Sequence, residues 1–439
     1  MTEGRPPKLT GIPAFNAYMG TRWDTLDRTP SVVPGAAAAA AAHRARLAEA
    51  LPGRTVVVAA GEAPIRSNDT AYDFRPDSDF YWLTGCAIEN AVVVVHAGDA
   101  VLFIPPPAYP GDPAFWSDTR YGELWVGAAP GPEGWARVLG VEVRPLAELR
   151  DEVSADQEAA RTLASLRMYK DAWETDQLRQ AVDRTVEGFA EVVREIPAAI
   201  AGRGERWLQG TFDRYARAYG NGPGYASIVG GGKHAPTLHW VRCDGPVLPE
   251  ELLLLDMGVE VASHYTADVT RTFPASGRFS AAQRQVHDLV EKAHRAGLAA
   301  VGPGRRFSEF HYAAMEVIAC GLADWGLLPV SVDEALSDAG QQHRRYLICG
   351  IGHHLGLDVH DCAQAAPEAY QDASMGEGMV LTVEPGLYFH AHDLTVPPEL
   401  RGIGVRIEDD ILITAEGSDV LSRALPLDAD GLEGWMVAQ

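Results

Sequence analysis

Residues 252–258 read Leu-Leu-Leu-Leu-Asp-Met-Gly, so that a carboxylate, Asp256, ends an apolar run. Residues 379–386 read Met-Val-Leu-Thr-Val-Glu-Pro-Gly and place Glu384 in the same way. Burial of an unpaired carboxylate is strongly unfavourable, so apolar strands should not end in such charges unless a partner binds them. The two stretches therefore predict matching strands that carry their carboxylates to one site.

Three further residues beside apolar sequence complete a possible set of metal ligands: Asp268, His353 and Glu408. Neighbouring buried carboxylates repel one another or take up protons, and a cation relieves both effects. Four carboxylates and one imidazole suit Mn²⁺, Co²⁺ or Zn²⁺, and the low nitrogen count favours Mn²⁺. Because four carboxylates would over-neutralise one ion, the set predicts two divalent ions sharing a hydroxide that hydrolyses an amide or ester.

Composition and charge exclude several classes of protein. The chain has 439 residues, 46% of them hydrophobic, and a formal net charge of −23. This acidity argues against nucleic acid and anionic membrane surfaces as partners. No apolar stretch approaches membrane-spanning length, and the first residues lack the apolar region of a secretory signal. The five cysteines show no paired motif, which suits a reducing compartment, so we expect a cytoplasmic protein.

The composition and the pattern of apolar residues change twice along the chain. Residues 1–35 are rich in proline, glycine and polar groups and are expected to form a loosely packed arm. A helix beginning in the alanine run and strand-like runs at 55–60, 91–96 and 101–104 predict an α/β domain over residues 36–160. Residues 161–439 are expected to form the catalytic domain.

The same order of predicted helices and strands occurs twice in the catalytic domain. Helical periodicity covers residues 174–195 and 206–219, and again 281–300 and 308–325, and carboxylate-bearing strands follow each pair. Each pair of helices is joined through a Gly-x-Gly turn. We infer an internal duplication, with an insertion in the second copy, in which each half contributes two carboxylates to one shared site.

Several motifs make a family resemblance specific. Residues 351–361 read Ile-Gly-His-His-Leu-Gly-Leu-Asp-Val-His-Asp, and they resemble aminopeptidase P, as do 381–388 and 402–410. This family is the Xaa-Pro aminopeptidase branch of the pita-bread metallopeptidases. Residues 66–69 and 74–85 resemble its first domain. The resemblance implies an α/β (α+β) fold, with an amino-terminal α/β domain followed by a pita-bread catalytic domain of pseudo-two-fold symmetry.

The resemblance also implies how the metal ligands are shared. Asp256 and Asp268 would bind one metal, and His353, Glu384 and Asp268 the other. Glu408 would bridge both ions together with Asp268. Of the two adjacent histidines, His353 is the implied ligand, and the side chain of its neighbour is expected to pack.

Catalytic roles follow from the same resemblance. His239 and His360 match non-ligand histidines of the active site, which stabilise the tetrahedral intermediate or move a proton. Glu384 is counted among the catalytic residues as well as among the ligands. Arg406 lies two residues before Glu408, so strand alternation would place both on one face and let the arginine orient that carboxylate.

Substrate contacts are implied at three further positions. Tyr388 lies in a catalytic motif, Asp69 would reach in from the first domain, and Trp125 resembles a tryptophan lent to a neighbouring subunit's site. A tryptophan face would stack on a proline ring, although a core or interface tryptophan without ligand is an equal alternative. Two departures from the family are Cys349, where some members have histidine, and a longer loop in which His264 is expected to be exposed.

The predicted function is a cytoplasmic, dinuclear metal-dependent aminopeptidase that removes a residue preceding proline. Its substrates would be proline-containing peptides, and the Trp125 argument requires a homodimer or homotetramer. Proline lacks the backbone N–H, and its tertiary amide calls for a dedicated enzyme. Two alternatives remain open: a prolidase restricted to Xaa-Pro dipeptides, and a non-catalytic binding module on the same fold.

Overall fold

A computed structural model describes residues 8–151, 153–154, 156–371 and 373–439. The chain divides into two compact units, Met1–Ala160 and Arg161–Gln439, and each is described by itself. Among the described residues, no helix combines the length and apolar composition that a membrane crossing requires.

The strands of the first unit are β1 (Thr55–Ala59), β2 (Ile65–Ser67), β3 (Thr70–Ala71), β4 (Val92–His96), β5 (Asp99–Ile104) and β6 (Glu142–Pro145). Its main sheet has the order β1-β4-β5-β6, in which the first three strands are antiparallel and β5 and β6 are parallel. Its helices are α1 (Pro13–Met19), α2 (Ala36–Ala50), α3 (Ser78–Thr84), α4 (Ala114–Ser117), α5 (Glu123–Val126) and α6 (Pro132–Leu139). The alanine run forms the first half of α2, and its residues Ala36, Ala39 and Ala40 are buried.

Residues 8–35 are mostly exposed, but at two points they contact the rest of this unit. Arg28 forms an ion pair with the buried carboxylate of Glu123 at 2.6 Å. The ring of Phe15 in α1 meets Trp116 edge-on at 5.1 Å between centroids. Aromatic and ionic contacts of this kind give a polar, proline-rich segment a fixed path without a core of its own.

The second unit continues the chain-order numbering. Its helices, with the one that leads into it, are α7 (Gln157–Arg167), α8 (Ala172–Arg194), α9 (Ile196–Ala198), α10 (Gly204–Tyr219), α11 (Ala281–Ala299), α12 (Phe307–Asp324), α13 (Val332–Leu336), α14 (Pro367–Tyr370) and α15 (Ala429–Ala438). Its strands are β7 (Gly222–Pro223), β8 (Ile228–Gly231), β9 (Leu252–Met257), β10 (Val259–Glu260), β11 (Val269–Pro274), β12 (Val380–Val383), β13 (Gly386–Tyr388), β14 (Gly404–Arg406), β15 (Asp409–Thr414) and β16 (Gly417–Val420).

The predicted duplication is present in this unit. Helices α8 and α10 precede the sheet β11-β9-β8, and helices α11 and α12 precede the sheet β12-β15-β16. The first helix of each copy begins with a capping box, formed by Asp171 and Glu174 in α8 and by Ser280 and Gln283 in α11. The copies meet where Thr270 of β11 pairs with Glu408, whose N–H donates to the Thr270 carbonyl at 3.1 Å.

Candidate metal centre

A cavity of about 680 Å³ lies where the two copies of the duplicated unit meet. Its wall brings together residues that are far apart in the chain. The predicted residues on this wall are His239, Asp256, Asp268, His353, His360, Glu384, Tyr388, Arg406 and Glu408.

The carboxylates occupy matching places in the two copies. Asp256 lies near the end of β9, and Glu384 directly follows β12. Asp268 directly precedes β11, and Glu408 directly precedes β15. Since β9 pairs with β11 and β12 pairs with β15, each copy supplies its two carboxylates from the same end of an antiparallel pair. His353 comes from the loop before β12 and has no counterpart in this scheme.

The imidazole of His353 lies between two of these carboxylates. Its Nε2 is 3.3 Å from Asp268 Oδ2 and 3.4 Å from Glu384 Oε1. Its Nδ1 is 3.1 Å from the carbonyl oxygen of His354, to which the Nδ1–H donates. Such a bond leaves Nε2 free to bind a cation. Ligand atoms of Asp268, His353 and Glu408 lie within 4.8 Å of one another, as a metal site requires.

The electrostatics of the protein alone show why this site needs a cation. Burial, together with the charge of Asp268, raises the pKa of Glu384 to about 7. The same two causes hold the pKa of Glu408 well above its usual range and raise that of Asp256. Burial opposes the charge on His353, but the Asp268 hydrogen bond and the Glu384 charge raise its pKa to about 9. Divalent cations remove this conflict, so the residues fit divalent metal ions.

A set of hydrogen bonds holds the carboxylates from behind. The guanidinium of Arg406 pairs with Asp256 and donates from Nε to Thr270 Oγ1 at 3.0 Å. Thr270 in turn donates to Glu408 Oε2 at 2.6 Å. The hydroxyl of Tyr225 donates to Asp256 Oδ1 at 2.6 Å. Arg406 therefore contacts Asp256 directly and reaches Glu408 through Thr270, whereas the sequence had predicted that Arg406 orients Glu408.

Sequence reasoning missed both Thr270 and Tyr225 as members of the site. Thr270 lies two residues after Asp268, so the alternation of a strand was a signal that its side chain shares that face. Tyr225 lies between β7 and β8 in a glycine-rich segment, where no periodicity marks the direction of a side chain. Tyr388, which was predicted, is buried on the cavity wall and accepts a hydrogen bond from Arg406 Nη1 at 3.0 Å.

The two predicted non-ligand histidines lie at the open side of the cavity. His239 and His360 are both exposed, unlike the carboxylates. The His360 ring meets that of His353 at 4.5 Å between centroids and 82° between planes. Burial of part of the ring and the nearby charge of His353 lower the pKa of His360. A neutral imidazole in this place can accept or donate a proton without binding the metal.

Two further histidines with a predicted placement, His354 and His264, have different surroundings. His354 is fully buried and stacks on Phe307 at 5.0 Å between centroids, and burial lowers its pKa to about 3. It is a packing residue, as expected. His264 adopts a left-handed backbone with φ of 64°, and its side chain is only 12% exposed because it bonds Glu260 at 2.9 Å. The expectation that His264 is exposed was therefore wrong.

The remaining predicted residues lie in three places. Cys349 lines the cavity, where burial and the Glu384 charge raise the pKa of its thiol to about 11. Trp125 belongs to α5 of the first unit, with a 58% exposed side chain whose Nε1–H donates to the Trp116 carbonyl at 2.7 Å. Asp69 is exposed in the turn between β2 and β3 of that unit. The roles assigned to Trp125 and Asp69 stay predictions.

Comparison with known proteins identifies the family of this chain. Residues 176–415 match metallopeptidase family M24, and residues 40–164 match the aminopeptidase P N-terminal domain. The chain is 42% identical to Xaa-Pro aminopeptidase 2 of Streptomyces coelicolor, with 96% of each chain covered. It is 46% identical to Xaa-Pro aminopeptidase 1 of the same organism, with 92% of this chain and 87% of that protein covered.

Solved structures extend the likeness to the fold. Aminopeptidase P from Escherichia coli with the inhibitor Pro-Leu has a TM-score of 0.81 at 28% identity, and the match covers 93% of this chain and 99% of that one. The Pseudomonas aeruginosa aminopeptidase PepP has a TM-score of 0.80 at 29% identity, with the same coverage. Both domains expected from the sequence therefore have close structural relatives in one protein.

Proposed function

Because the chain belongs to metallopeptidase family M24 and also matches the aminopeptidase P N-terminal domain, we propose that it is an Xaa-Pro aminopeptidase. It would hydrolyse the bond between any N-terminal residue and a penultimate proline. The observation that carries the proposal is the cavity in which four carboxylates and one imidazole converge. Likeness to Xaa-Pro aminopeptidases over 96% of the chain supports the substrate class.

The five converging residues would hold two divalent ions, with Asp268 and Glu408 shared between them. Mn²⁺ is the proposed metal because oxygen ligands outnumber nitrogen, and Co²⁺ and Zn²⁺ are the alternatives. When bound, such ions supply Lewis acidity and lower the pKa of water so that it attacks at neutral pH. The protein keeps His353 Nε2 available through the Nδ1–H bond to the His354 carbonyl, and Arg406 fixes the direction of Asp256.

The cavity wall suits a proline-containing peptide. Ile228, Leu238, Val241 and Val359 give it an apolar side on which a proline ring can lie. His239 and His360 lie on the same wall, where their N–H groups would stabilise the oxyanion that forms at the scissile carbonyl. One of them would also deliver a proton to the leaving nitrogen of proline, which has no N–H of its own.

Five further assignments belong to this proposal. Tyr388 and Asp69 would contact the substrate, and Trp125 would do so from a neighbouring subunit of a homodimer or homotetramer. The exposed indole of Trp125 supports this assignment. We place the protein in the cytoplasm, which its free cysteines support. The proposed domain limits are 1–35 for the arm, 36–160 for the first domain and 161–439 for the catalytic domain.

The test is release of arginine from Arg-Pro-Pro. The purified protein would be stripped with a chelator and reloaded with Mn²⁺, Co²⁺ or Zn²⁺ in separate samples. We expect turnover to return with Mn²⁺, and a peptide of the same length without proline at its second position is the control. If no divalent ion restores release, the protein is not an Xaa-Pro aminopeptidase.

The two alternatives give different results in the same assay. A prolidase would cleave Arg-Pro as fast as Arg-Pro-Pro or faster, whereas we expect the tripeptide to be preferred. A binding module would hold close to no metal after reconstitution and would show no turnover. Metal analysis of the reloaded protein, made beside the kinetic assay, therefore separates the alternatives.

A further inference from the structure

Glu205, in the first turn of α10, is a completely buried carboxylate that accepts four hydrogen bonds. Its Oε1 accepts from the N–H of Gly231 at 2.8 Å and from His234 Nδ1 at 2.7 Å. Its Oε2 accepts from the N–H of Gly245 at 2.7 Å and from Trp240 Nε1 at 2.8 Å. One side chain thus connects both ends and the middle of the segment 231–245, which we call the histidine loop because it contains His239.

Other groups of α10 hold the same loop. The N–H of Glu205 donates to the carbonyl of Gly245 at 3.0 Å. Arg206 donates from its guanidinium to the carbonyl of Arg242, and Gln209 Nε2 donates to that of Val241 at 3.4 Å. The start of α10 is therefore a rigid support against which the histidine loop is fixed.

The support lies one residue from His239. Trp240, which directly follows it, is bonded to Glu205 through its indole nitrogen. The indole also stacks on His234 at 4.0 Å between centroids and lies 4.3 Å from the guanidinium carbon of Arg242. Because consecutive residues share a rigid peptide plane, fixing Trp240 fixes the backbone from which the His239 side chain enters the cavity.

The duplicated fold offers an internal comparison. The turn Gly202-Arg203-Gly204 before Glu205 corresponds to Gly302-Pro303-Gly304 before Arg305. Arg305 is 52% exposed and lies 3.7 Å from Glu309. At the matching position of sequence, the second copy has an exposed arginine two residues before α12 begins, where the first copy has a buried carboxylate inside α10. One copy of the helix pair is therefore built without a carboxylate at this position, whereas in the first copy the carboxylate bonds the histidine loop.

We propose that Glu205 is a positioning residue that holds His239 at the substrate and so sets the rate of peptide hydrolysis. The inference rests on the proposed function, in which His239 acts at the scissile bond. A catalytic group misplaced by about 1 Å can lower a rate by about 10²-fold. Since an exposed histidine on a loop cannot fix its own direction, the buried carboxylate would supply the order that catalysis needs.

The test compares Glu205→Gln with wild type in kcat and KM for Arg-Pro-Pro. The amide NH2 of glutamine would face two N–H donors, so about half of the bonds to the loop would be lost. We expect kcat to fall by about 10-fold or more, with KM within about 2-fold and metal content unchanged. In the His239→Ala background the same change should have little further effect on kcat, because both act through one group. An equal loss of rate in both backgrounds would overturn the inference.

Two further variants sharpen the experiment. Arg305→Gln alters the corresponding position of the second copy and should leave kcat and KM unchanged. Trp240→Phe removes one hydrogen-bond donor to Glu205 and keeps an aromatic ring at that position. It should therefore lower kcat less than Glu205→Gln does. Because it is the milder change, it should stay folded even if Glu205→Gln does not fold. Wild-type kcat within about 2-fold in both Glu205→Gln and Trp240→Phe would overturn the inference.

A structural measurement that does not depend on turnover distinguishes failure of this inference from failure of the proposed function. Crystal structures of wild type and Glu205→Gln should show the His239 imidazole displaced in the variant, while Asp256 and Glu384 keep their positions. An unmoved His239 would overturn the inference even if the rate fell. Failure of the wild type to release arginine would instead reject the proposed function.

Discussion

Arg406 and Asp256 form an ion pair that joins the two copies of the duplicated unit. The pair connects β14 to β9 across 150 positions of sequence, and both side chains are buried. Tyr225 donates to the other oxygen of Asp256. A carboxylate held at both oxygens has one orientation, so the protein presents this metal ligand in a fixed direction before any ion binds.

Replacing Arg406 by glutamine should weaken metal binding. The change leaves Asp256 without its cation and Thr270 without a donor, and loss of such supporting partners costs about 10- to 100-fold in metal affinity or activity. Isothermal titration of Mn²⁺ into the stripped protein, beside kcat for Arg-Pro-Pro, measures both. Arg214→Gln, at a side chain that is 72% exposed, is the matched control. Wild-type affinity and rate in Arg406→Gln would contradict this role.

Removal of Glu384 should abolish turnover. In Glu384→Ala a metal ligand is lost, and His353 loses one of the two carboxylates that flank its Nε2. We expect less than about 1% of the wild-type rate and fewer than two bound ions per chain, measured by steady-state kinetics and elemental analysis. Glu416→Ala, at an exposed glutamate, is the control. Substantial turnover by Glu384→Ala would mean that the site is misassigned.

His239 and His360 should affect rate rather than metal content. Both lie on the cavity wall, and neither takes part in the close cluster formed by Asp268, His353 and Glu408. We expect His239→Ala and His360→Ala to lower kcat by about 10²-fold, the usual cost of losing a proton donor or an oxyanion donor. Elemental analysis should find wild-type metal content in both. Loss of metal would make the altered histidine a ligand instead.

The sequence was sufficient for the elements that follow from periodicity and end signals. Helices α8 and α11 begin within two residues of the starts that their periodicity predicts, and in the structure Asp171 and Ser280 cap them. The carboxylates could be found because a charge at the end of an apolar strand is unfavourable by itself. These signals are local, so each can be read without knowing what packs against it.

The supporting contacts could not be predicted in this way, since they join residues distant in sequence. Tyr225 meets Asp256 from 31 positions away, and Arg406 bonds it from 150. Strand alternation placed Arg406 on the same face as Glu408. The guanidinium instead bonds Thr270 and Asp256, which both belong to the first copy. Glu205 gave no signal either, because a glutamate in a helix's first turn is ordinarily a solvated residue that favours the helix dipole.

A buried ion cluster at Asp361, the residue after His360, should make the free energy of unfolding depend on pH in the acidic range. Asp361 is buried and pairs with Arg167 and with Lys170, whose Nζ is 3.1 Å from its Oδ2. Burial alone would raise the pKa of Asp361, but the two cations lower it from 3.8 to about 2. A lowered pKa gives stability that is present above pH 4 and lost as the pH falls towards 2, worth about 2 kcal/mol.

Asp361→Asn should remove this dependence and destabilise the protein at neutral pH. The change removes the buried carboxylate that pairs with both Lys170 and Arg167, for which the cost is about 3–5 kcal/mol. Urea unfolding of the metal-free variant and metal-free wild type at pH 7 and pH 3 would measure both effects, since titration of the metal ligands is then common to the two proteins. The difference between them should shrink at pH 3, which lies between the pKa of Asp361 in the unfolded chain, 3.8, and its folded pKa of about 2, so part of the stabilisation is already lost. Asp358→Asn is the control, because Asp358 pairs with Arg167 at 3.0 Å and is 42% exposed. A difference that stays constant with pH would show that Asp361 is not ionised in the folded protein.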